Sequence, residues 1–330
     1  MDKTAAQGEM LFNRLTKRYR HLKKWSRRTG TNAFRLYDRD IPEIPLVLDL
    51  YDDAISGALY KRPYEKDDEE NWLDAMKSAA ARATNIPESR IFLKIRQHMR
   101  HRQEEGLQYG KISGSGFYRD VREGDLIFRV NLSDYLDTGL FLDARKKRAL
   151  IRAASAGKRV LNLFAYTCSL SVCAAKGGAS QVDSVDLSKT YLEWGRINFA
   201  LNGLQAHDAG PLGRTAFGGF NLIHGDVIQF TNHARKSGLS WDLIILDPPS
   251  FSNSKRMRDT LDLRRDHLEL TRKGLSLLSP GGTLWFSTNA KGVRIDAGDF
   301  PGIDVKDMGK ELVDEDFRGK RRSVCYTLTL

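Results

Sequence analysis

The stretch Trp241-Asp-Leu-Ile-Ile-Leu-Asp247-Pro248-Pro249-Ser250-Phe251-Ser252 decides the fold. Its apolar run reads as a strand that delivers a carboxylate onto a double-proline turn ending in an aromatic ring. Proline fixes its own φ and pushes the preceding residue out of the helical region, so Asp247 is held at the carboxyl end of the strand. Such ends are where open α/β sheets bind ligands. The plainer alternative is that two prolines merely end a buried strand, and the surrounding chain has to decide.

Outward from this segment, strands alternate with amphipathic helices. The strands read at Arg159 to Phe164, Val182 to Asp186, Asn221 to His224, Leu243 to Asp247 and Thr283 to Ser287, with one helix opening at Ser188. Strands apolar on both sides belong to a parallel sheet covered by helices, so the fold class is α/β, doubly wound and Rossmann-like. The Gly-rich insert between Gln205 and Phe220 is expected to be a surface loop.

The amino-terminal part follows other periods. Phe12, Leu15, Tyr19, Leu22 and Trp25 recur every three or four positions, and Arg14, Lys17, Arg18, Arg20, Lys23, Lys24, Arg27 and Arg28 fill the gaps. This predicts a basic amphipathic helix whose apolar stripe docks on the protein and whose cations meet phosphates. A solvated helix charged only for solubility is the alternative. A strand pair over 46–60, a helix near 67–84 and strands at Arg90 to Arg96, Gly116 to Val121 and Asp125 to Asn131 make a smaller α/β unit. Arg96 and Arg100, in the basic segment Lys94 to Arg102, form a second RNA-facing patch, with His98 and His101 as surface residues rather than metal ligands. The expected organisation is a basic helix and arm over 1–45, a small α/β RNA-binding domain over 46–133 and the doubly wound domain over 134–330.

Composition narrows the partners. Of 330 residues, 41% are hydrophobic and 29% charged, as in a globular protein, with no apolar run long enough to cross a bilayer. The amino terminus lacks the apolar core of a secretory signal, and a cytoplasmic location is expected. Three cysteines, Cys168, Cys173 and Cys325, have neither disulfide-framework nor metal-ligand spacing, so no metal is expected. The formal charge of +11 points to a polyanionic partner.

The strand ends sketch a cofactor cleft. After the first strand, Asn162-Leu-Phe-Ala-Tyr-Thr-Cys-Ser-Leu-Ser171 opens a helix without the G-x-G-x-x-G that a pyrophosphate needs for close backbone approach. A cofactor without phosphate, S-adenosylmethionine, is therefore favoured. Asp186 ends the second strand, where a carboxylate can accept from both ribose hydroxyls, and Asp226 follows the third, suited to the adenine edge. Each aspartate has a purely structural alternative as a helix cap.

These residues resemble the RlmK-type 23S rRNA guanine-N7 methyltransferases, class I enzymes often fused behind a guanine-N2 methyltransferase. The resemblance covers nearly the whole chain and rests most on Phe34-Arg-Leu-Tyr-Asp-Arg-Asp40, Asp134-Tyr-Leu-Asp-Thr-Gly-Leu-Phe-Leu-Asp-Ala-Arg145, Asn162 to Thr167, Val185-Asp-Leu-Ser-Lys-Thr-Tyr-Leu-Glu-Trp194 and Asp247 to Met257. It implies that Thr138, Leu140, Phe141 and Asp143 fold over the cofactor. Asn162, Phe164, Tyr166, Thr167, Asp186, Leu187, Asp226, Val227 and Asp247 would line its site. Asp247, Pro248, Pro249 and Phe251 would face the target base. Arg14, Lys17, Arg18, Lys24, Arg96, Arg100, Arg145, Lys255 and Arg256 are the expected RNA contacts, on 23S rRNA or a large-subunit precursor particle. Two positions depart from the family's pattern: Cys168 stands where glycine is expected, and Ala144 stands where histidine precedes Arg145.

Guanine N7 offers an in-plane lone pair and no proton, so positioning does most of the chemistry and no strong general base is needed. Phe251 is the residue expected to stack on the base, and Asp247 to accept from its N1 and N2 donors. Guanine-N2 or adenine-N6 methylation remains open. Cytosine-C5 methylation would need a cysteine after the fifth strand, where the chain reads Phe286-Ser-Thr-Asn289. An RNA-binding ribosome-assembly factor with a degenerate pocket is the reading from a different class.

Overall fold

The basic amphipathic pattern near the amino terminus folds as one long helix, α1 (Lys3–Thr29). Asp2 caps its first turn by accepting from Thr4 N at 3.2 Å, and Gly30 ends it at φ 71°, a backbone conformation that costs glycine little. The structure is a computed structural model that describes residues 2–60, 69–96, 114, 116–210, 218–252, 261–319 and 323–330. It divides into two units, Met1–Leu142 with Glu315–Lys320 and Asp143–Asp314 with Arg321–Leu330.

In the first unit, β1 (Ala33–Asp38), β2 (Leu46–Tyr51), β3 (Ala54–Tyr60) and β4 (Ile91–Arg96) form a sheet in that order. Helix α2 (Glu69–Thr84) links β3 to β4, which pair in parallel, while the other neighbours are antiparallel. The apolar stripe of α1, from Leu11 through Leu15 and Leu22 to Trp25, is buried with Phe34, Leu36 and Leu48 of the sheet and Met76 and Ala80 of α2. β5 (Tyr118–Glu123) and β6 (Leu126–Asn131) form a separate antiparallel hairpin. β1 has no counterpart in the periodic reading. Its register slips between Arg35 and Tyr37, and the bulge breaks the two-residue alternation on which strand recognition rests.

The second unit carries α3 (Arg145–Ala153), β7 (Arg159–Leu163), α4 (Ser169–Lys176), β8 (Gln181–Asp186), α5 (Lys189–Leu201), β9 (Ala206–Ala209), β10 (Gly219–His224), α6 (Val227–Lys236) and β11 (Trp241–Leu246). β12 (Phe251–Ser252), β13 (Leu261–Asp262), α7 (Leu263–Leu275), β14 (Leu278–Thr288), β15 (Asp304–Asp307) and β16 (Val324–Thr329) follow. Its eight-stranded sheet runs β15-β16-β14-β11-β7-β8-β10-β9. The order reverses at β7, between β11 and β8, which is the switch point where such sheets open a crevice for ligands. β16 is antiparallel to both neighbours, and β14, β11, β7, β8, β10 and β9 run parallel.

The doubly wound α/β expectation is met, with each expected strand of this unit present. The expected loop between Gln205 and Phe220 is corrected at its start, where Ala206–Ala209 pairs on β10 as an edge strand; residues 211–217 lie outside the described residues. Only Ala206 of this short strand is buried, which is why it leaves no apolar signature. Among the described residues no helix is long and apolar enough to cross a membrane.

Candidate active site

Strand register sets the candidate site. Leu246, Leu163 and Val185 pair across β11, β7 and β8, and Asp186 pairs with His224 of β10, so these carboxyl ends come level. From that row emerge Asp247 with its prolines, the loop after β7, Asp186, and Asp226 at the start of α6.

The loop after β7 is built on backbone that side chains rarely adopt: Phe164, Tyr166 and Cys168 lie at φ 60°, 51° and 59°. Asp186 holds it in place. Its Oδ2 accepts from Tyr166 N and its Oδ1 from Ser188 N, both at 2.8 Å, which also turns the chain into α5. Burial pushes the Asp186 carboxyl up to about 6, against the pull of those amides. A carboxylate has room for about four hydrogen bonds, so acceptor capacity beyond these backbone amides remains for a ligand. Asp226 caps α6 by accepting from Gln229 N at 2.9 Å, so its structural role is real and uses Oδ1.

Asn162 lies within β7, fully buried. Its Nδ2 donates to Ser171 Oγ at 2.8 Å, while its Oδ1 is a buried acceptor without a partner among the described residues. Thr167 is buried too, its carbonyl accepting from Asn198 Nδ2 at 2.8 Å, and Leu187 offers its carbonyl to the His224 ring at 3.1 Å. Val227 is buried in the first turn of α6, and the Tyr166 ring meets Tyr191 edge-on at 4.6 Å. An orphaned buried acceptor and a carboxylate with spare lone pairs at neighbouring strand ends fit a cofactor rich in amine and hydroxyl donors.

Cys168 does not crowd this loop. Its side chain is fully buried against α5, where a Cβ placed on Gly195 would lie 2.5 Å from Sγ. The thiol, pushed up to about 12 by burial, fills the space that glycine leaves. Gly195→Ala is therefore expected to destabilise the protein by about 2–3 kcal/mol through overpacking. Adding Cys168→Gly should recover most of that loss in urea unfolding; a single variant as stable as wild type would refute the pairing.

Asp247 has partners that sequence reasoning missed. Lys147 Nζ of α3 donates to Asp247 Oδ2 at 2.8 Å and to Ser287 Oγ at 2.7 Å, and Ser287 Oγ donates to Asp247 Oδ1 at 2.6 Å. The lysine side chain is 7% exposed and the carboxylate 29%, so the cation is inside and the anion faces outward. Pro248 is buried and Pro249 half-buried behind it. A signal for Lys147 existed: Ile151 follows one helical turn later and is fully buried, so both share a face. For Ser287, at the end of β14, nothing local marks the role.

The expectation for Arg145, at the start of α3, needs correction. Arg145, expected to contact RNA, is buried and donates to Asp314 Oδ2 at 2.9 Å, and Lys147 and Arg148 are buried as well. Two expected contacts on α1 are also committed within their unit. Arg14 pairs with Asp40 at 2.8 Å, and Arg18 donates to the carbonyls of Leu36 and Asp316. Lys17 and Lys24 are exposed. Arg100, Lys255 and Arg256 lie outside the described residues, as do the side chains of Arg96 and Phe251. Thr138, Leu140 and Phe141 belong to the first unit, where Thr138 Oγ1 meets Tyr51 Oη at 2.8 Å, Leu140 is buried and Phe141 is exposed. Asp143 opens the second unit and accepts from Ser323 Oγ at 2.9 Å.

The sheet order and the strand-end cleft define a class I methyltransferase, and the S-adenosylmethionine-dependent methyltransferase family model matches residues 38–299. A structure assigned as a methyltransferase and solved in complex with SAH superposes with a TM-score of 0.74 at 26% identity, covering 98% of this chain and 82% of that one. Ribosomal RNA large subunit methyltransferase K of Neisseria meningitidis is 41% identical over 96% of this chain and 86% of its own length. The chain belongs to that family, and its cofactor is S-adenosylmethionine. Ribosomal RNA large subunit methyltransferase K/L of Pseudomonas fluorescens is also 41% identical over 94% of this chain, which spans only 39% of that longer protein.

Proposed function

We propose that the protein methylates N7 of a guanine in 23S rRNA, met as naked RNA or within a large-subunit precursor particle. The observation that carries the reading is Asp247, held by Lys147 and Ser287 at the carboxyl end of β11, level with the cofactor's strand ends. The relatives' names supply the RNA, and the excess of cations agrees with them.

S-adenosylmethionine, when bound, supplies an electrophilic methyl group on a sulfonium. Asp186 would accept from the ribose hydroxyls, Asp226 and the backbone at Val227 would meet the adenine, and Asn162 with the loop from Phe164 to Thr167 would receive the remainder. Asp247 keeps acceptor sites beyond those used by Lys147 and Ser287, and with them orients the guanine through its N–H donors. Phe251 stacks on the base. The chain's work is alignment, since N7 has no proton to remove.

Cytosine-C5 chemistry is disfavoured at one further point. Cys325 of β16 pairs in register with Ser287, yet its thiol is 1% exposed and burial pushes it up to about 12. It is neither accessible nor readily ionised. An enzyme acting on rRNA is expected in the cytoplasm.

The test is incubation with S-adenosylmethionine and large-subunit rRNA from a strain lacking the gene, followed by mass spectrometry of nucleosides. N7-methylguanosine is expected, and borohydride with aniline would then cleave the strand at the modified base. N2-methylguanosine or 5-methylcytidine would overturn the target atom, and RNA binding without methylation would leave the assembly-factor reading. In the same assay Phe251→Ala should lower turnover with cofactor affinity intact; wild-type turnover would refute stacking.

A further inference from the structure

The first unit contains a cleft that the reaction does not use. It encloses about 500 Å³ beside the last turns of α1 and is lined by Tyr19, Lys23 and Arg27 of that helix, Asn32, Asp52 and Arg122. Tyr19, Lys23 and Arg27 recur every fourth residue, so they form one row along the edge of the helix. This row is distinct from the outward face that carries Lys17, Lys24 and Arg28.

The floor is tied together from three separate segments. Asn32 Oδ1 accepts from Arg122 N at 2.6 Å and its Nδ2 donates to Asp52 Oδ1 at 3.0 Å, while its backbone joins both partners. Thr31 Oγ1 donates to Arg122 O at 3.1 Å, and Gly124 N donates to Gly30 O at 3.2 Å. At Gly30 an added Cβ would meet Gly124 Cα at 3.4 Å, so the turn after α1 and the tip of the β5–β6 hairpin pack backbone to backbone. The cations around this floor are therefore carried on a braced frame.

Those cations are also unanswered. Elsewhere in the unit Arg14, Arg35, Arg90, Arg119 and Arg129 each hold a carboxylate. Among the described residues Lys23, Arg27 and Arg122 hold none, and all three are exposed. Lys23 Nζ rests on Tyr19, donating to its hydroxyl at 3.3 Å and lying 5.0 Å from the ring centre. Asp52, the carboxylate lining the cleft, is engaged by Asn32 rather than by a cation. The carbonyl end of α1 draws cations to its last turn, which explains Arg27 but not Arg122 on β5.

We propose that this cleft grips the phosphodiester backbone of the RNA, a docking site additional to the methyl-transfer site. The proposal rests on RNA being the substrate, as argued above. Convergent cations on a fixed frame suit phosphates, which position a nucleic acid without reading its sequence.

The test compares two triple variants that remove the same charge, Lys23→Gln with Arg27→Gln and Arg122→Gln, and Lys17→Gln with Lys24→Gln and Arg28→Gln. Each is titrated against a short single-stranded RNA of mixed sequence across a salt series, after thermal melting has verified folding. The cleft variant should lower the slope of log K against log salt by about 2, at roughly 0.7 per phosphate contact, with about 100-fold weaker binding at about 0.1 M salt. The outer-face variant should change the slope by less than half as much. Arg122→Gln alone, far from α1 in sequence, should lower it by about 0.7. Equal losses in both triples, or an unchanged slope in the cleft triple, would overturn the proposal. Wild-type protein that binds RNA through the cleft but methylates no rRNA would sink the proposed reaction and leave the cleft standing. Normal methylation with unaltered RNA affinity in the cleft triple would do the reverse.

Discussion

Replacing Lys147 by methionine is expected to lower the single-turnover rate of RNA methylation by about 100-fold. Lys147 and Ser287, themselves joined by a 2.7 Å hydrogen bond, each hold one oxygen of Asp247, fixing the carboxylate's rotation as well as its place. Methionine keeps most of the volume and removes the donor. With Ser287 alone the carboxylate can swing, and a misplacement of about 1 Å near the reacting atoms costs roughly 100-fold. Stability should also fall. Removing one member of a fully buried ion pair costs about 3–5 kcal/mol, but Asp247 is 29% exposed, so water softens the loss to about 1–2 kcal/mol. The double variant Lys147→Met with Asp247→Asn separates the two effects, because a neutral amide no longer needs the ammonium. Its melting temperature should recover towards wild type while the rate stays low. A rate for Lys147→Met within threefold of wild type would show that Lys147 positions nothing.

The second large effect concerns the cofactor. Asp186→Asn should weaken S-adenosylmethionine binding by about 100-fold in calorimetry at pH 8, two charge-assisted hydrogen bonds being worth about 1.5–3 kcal/mol each and an amide retaining part of them. The wild-type affinity should depend on pH. With the carboxyl pushed up to about 6, the acceptor form is complete above that pH, and affinity should fall towards tenfold per unit below it. For the free protein the sign is opposite. A carboxyl whose folded value is raised contributes stability below its unfolded value near 3.8, and that contribution is lost as pH rises through 6. Falling pH through 6 should therefore loosen the cofactor while stabilising the empty fold. An affinity flat between pH 5 and 8, or an Asn variant that binds as wild type, would remove Asp186 from the ribose.

What the sequence by itself determined lies in short windows. The strand-helix alternation follows from apolar periods that backbone geometry imposes, and the strand order it implies puts Asp247, Asp186 and Asp226 at level ends. The Asp-Pro-Pro turn is local sterics, and the cap formed by Asp226 involves a residue only three positions away. β1 and β9 escaped because a bulge broke one period and an edge position needed no apolar face in the other.

Partnerships across the chain were decided by the tertiary structure alone. Lys147 meets Asp247 after 100 residues and Ser287 after 140, and Cys168 fits Gly195 because α5 packs on the loop after β7. Arg145 reads as a surface cation in any window, and only the packing of α3 turns it inward to Asp314. The cleft beside α1 draws on segments near residues 23, 52 and 122. The reason is physical: periodicity reports which face of an element is buried, whereas the identity of a side chain's partner depends on how elements are ordered and packed, which no single window contains.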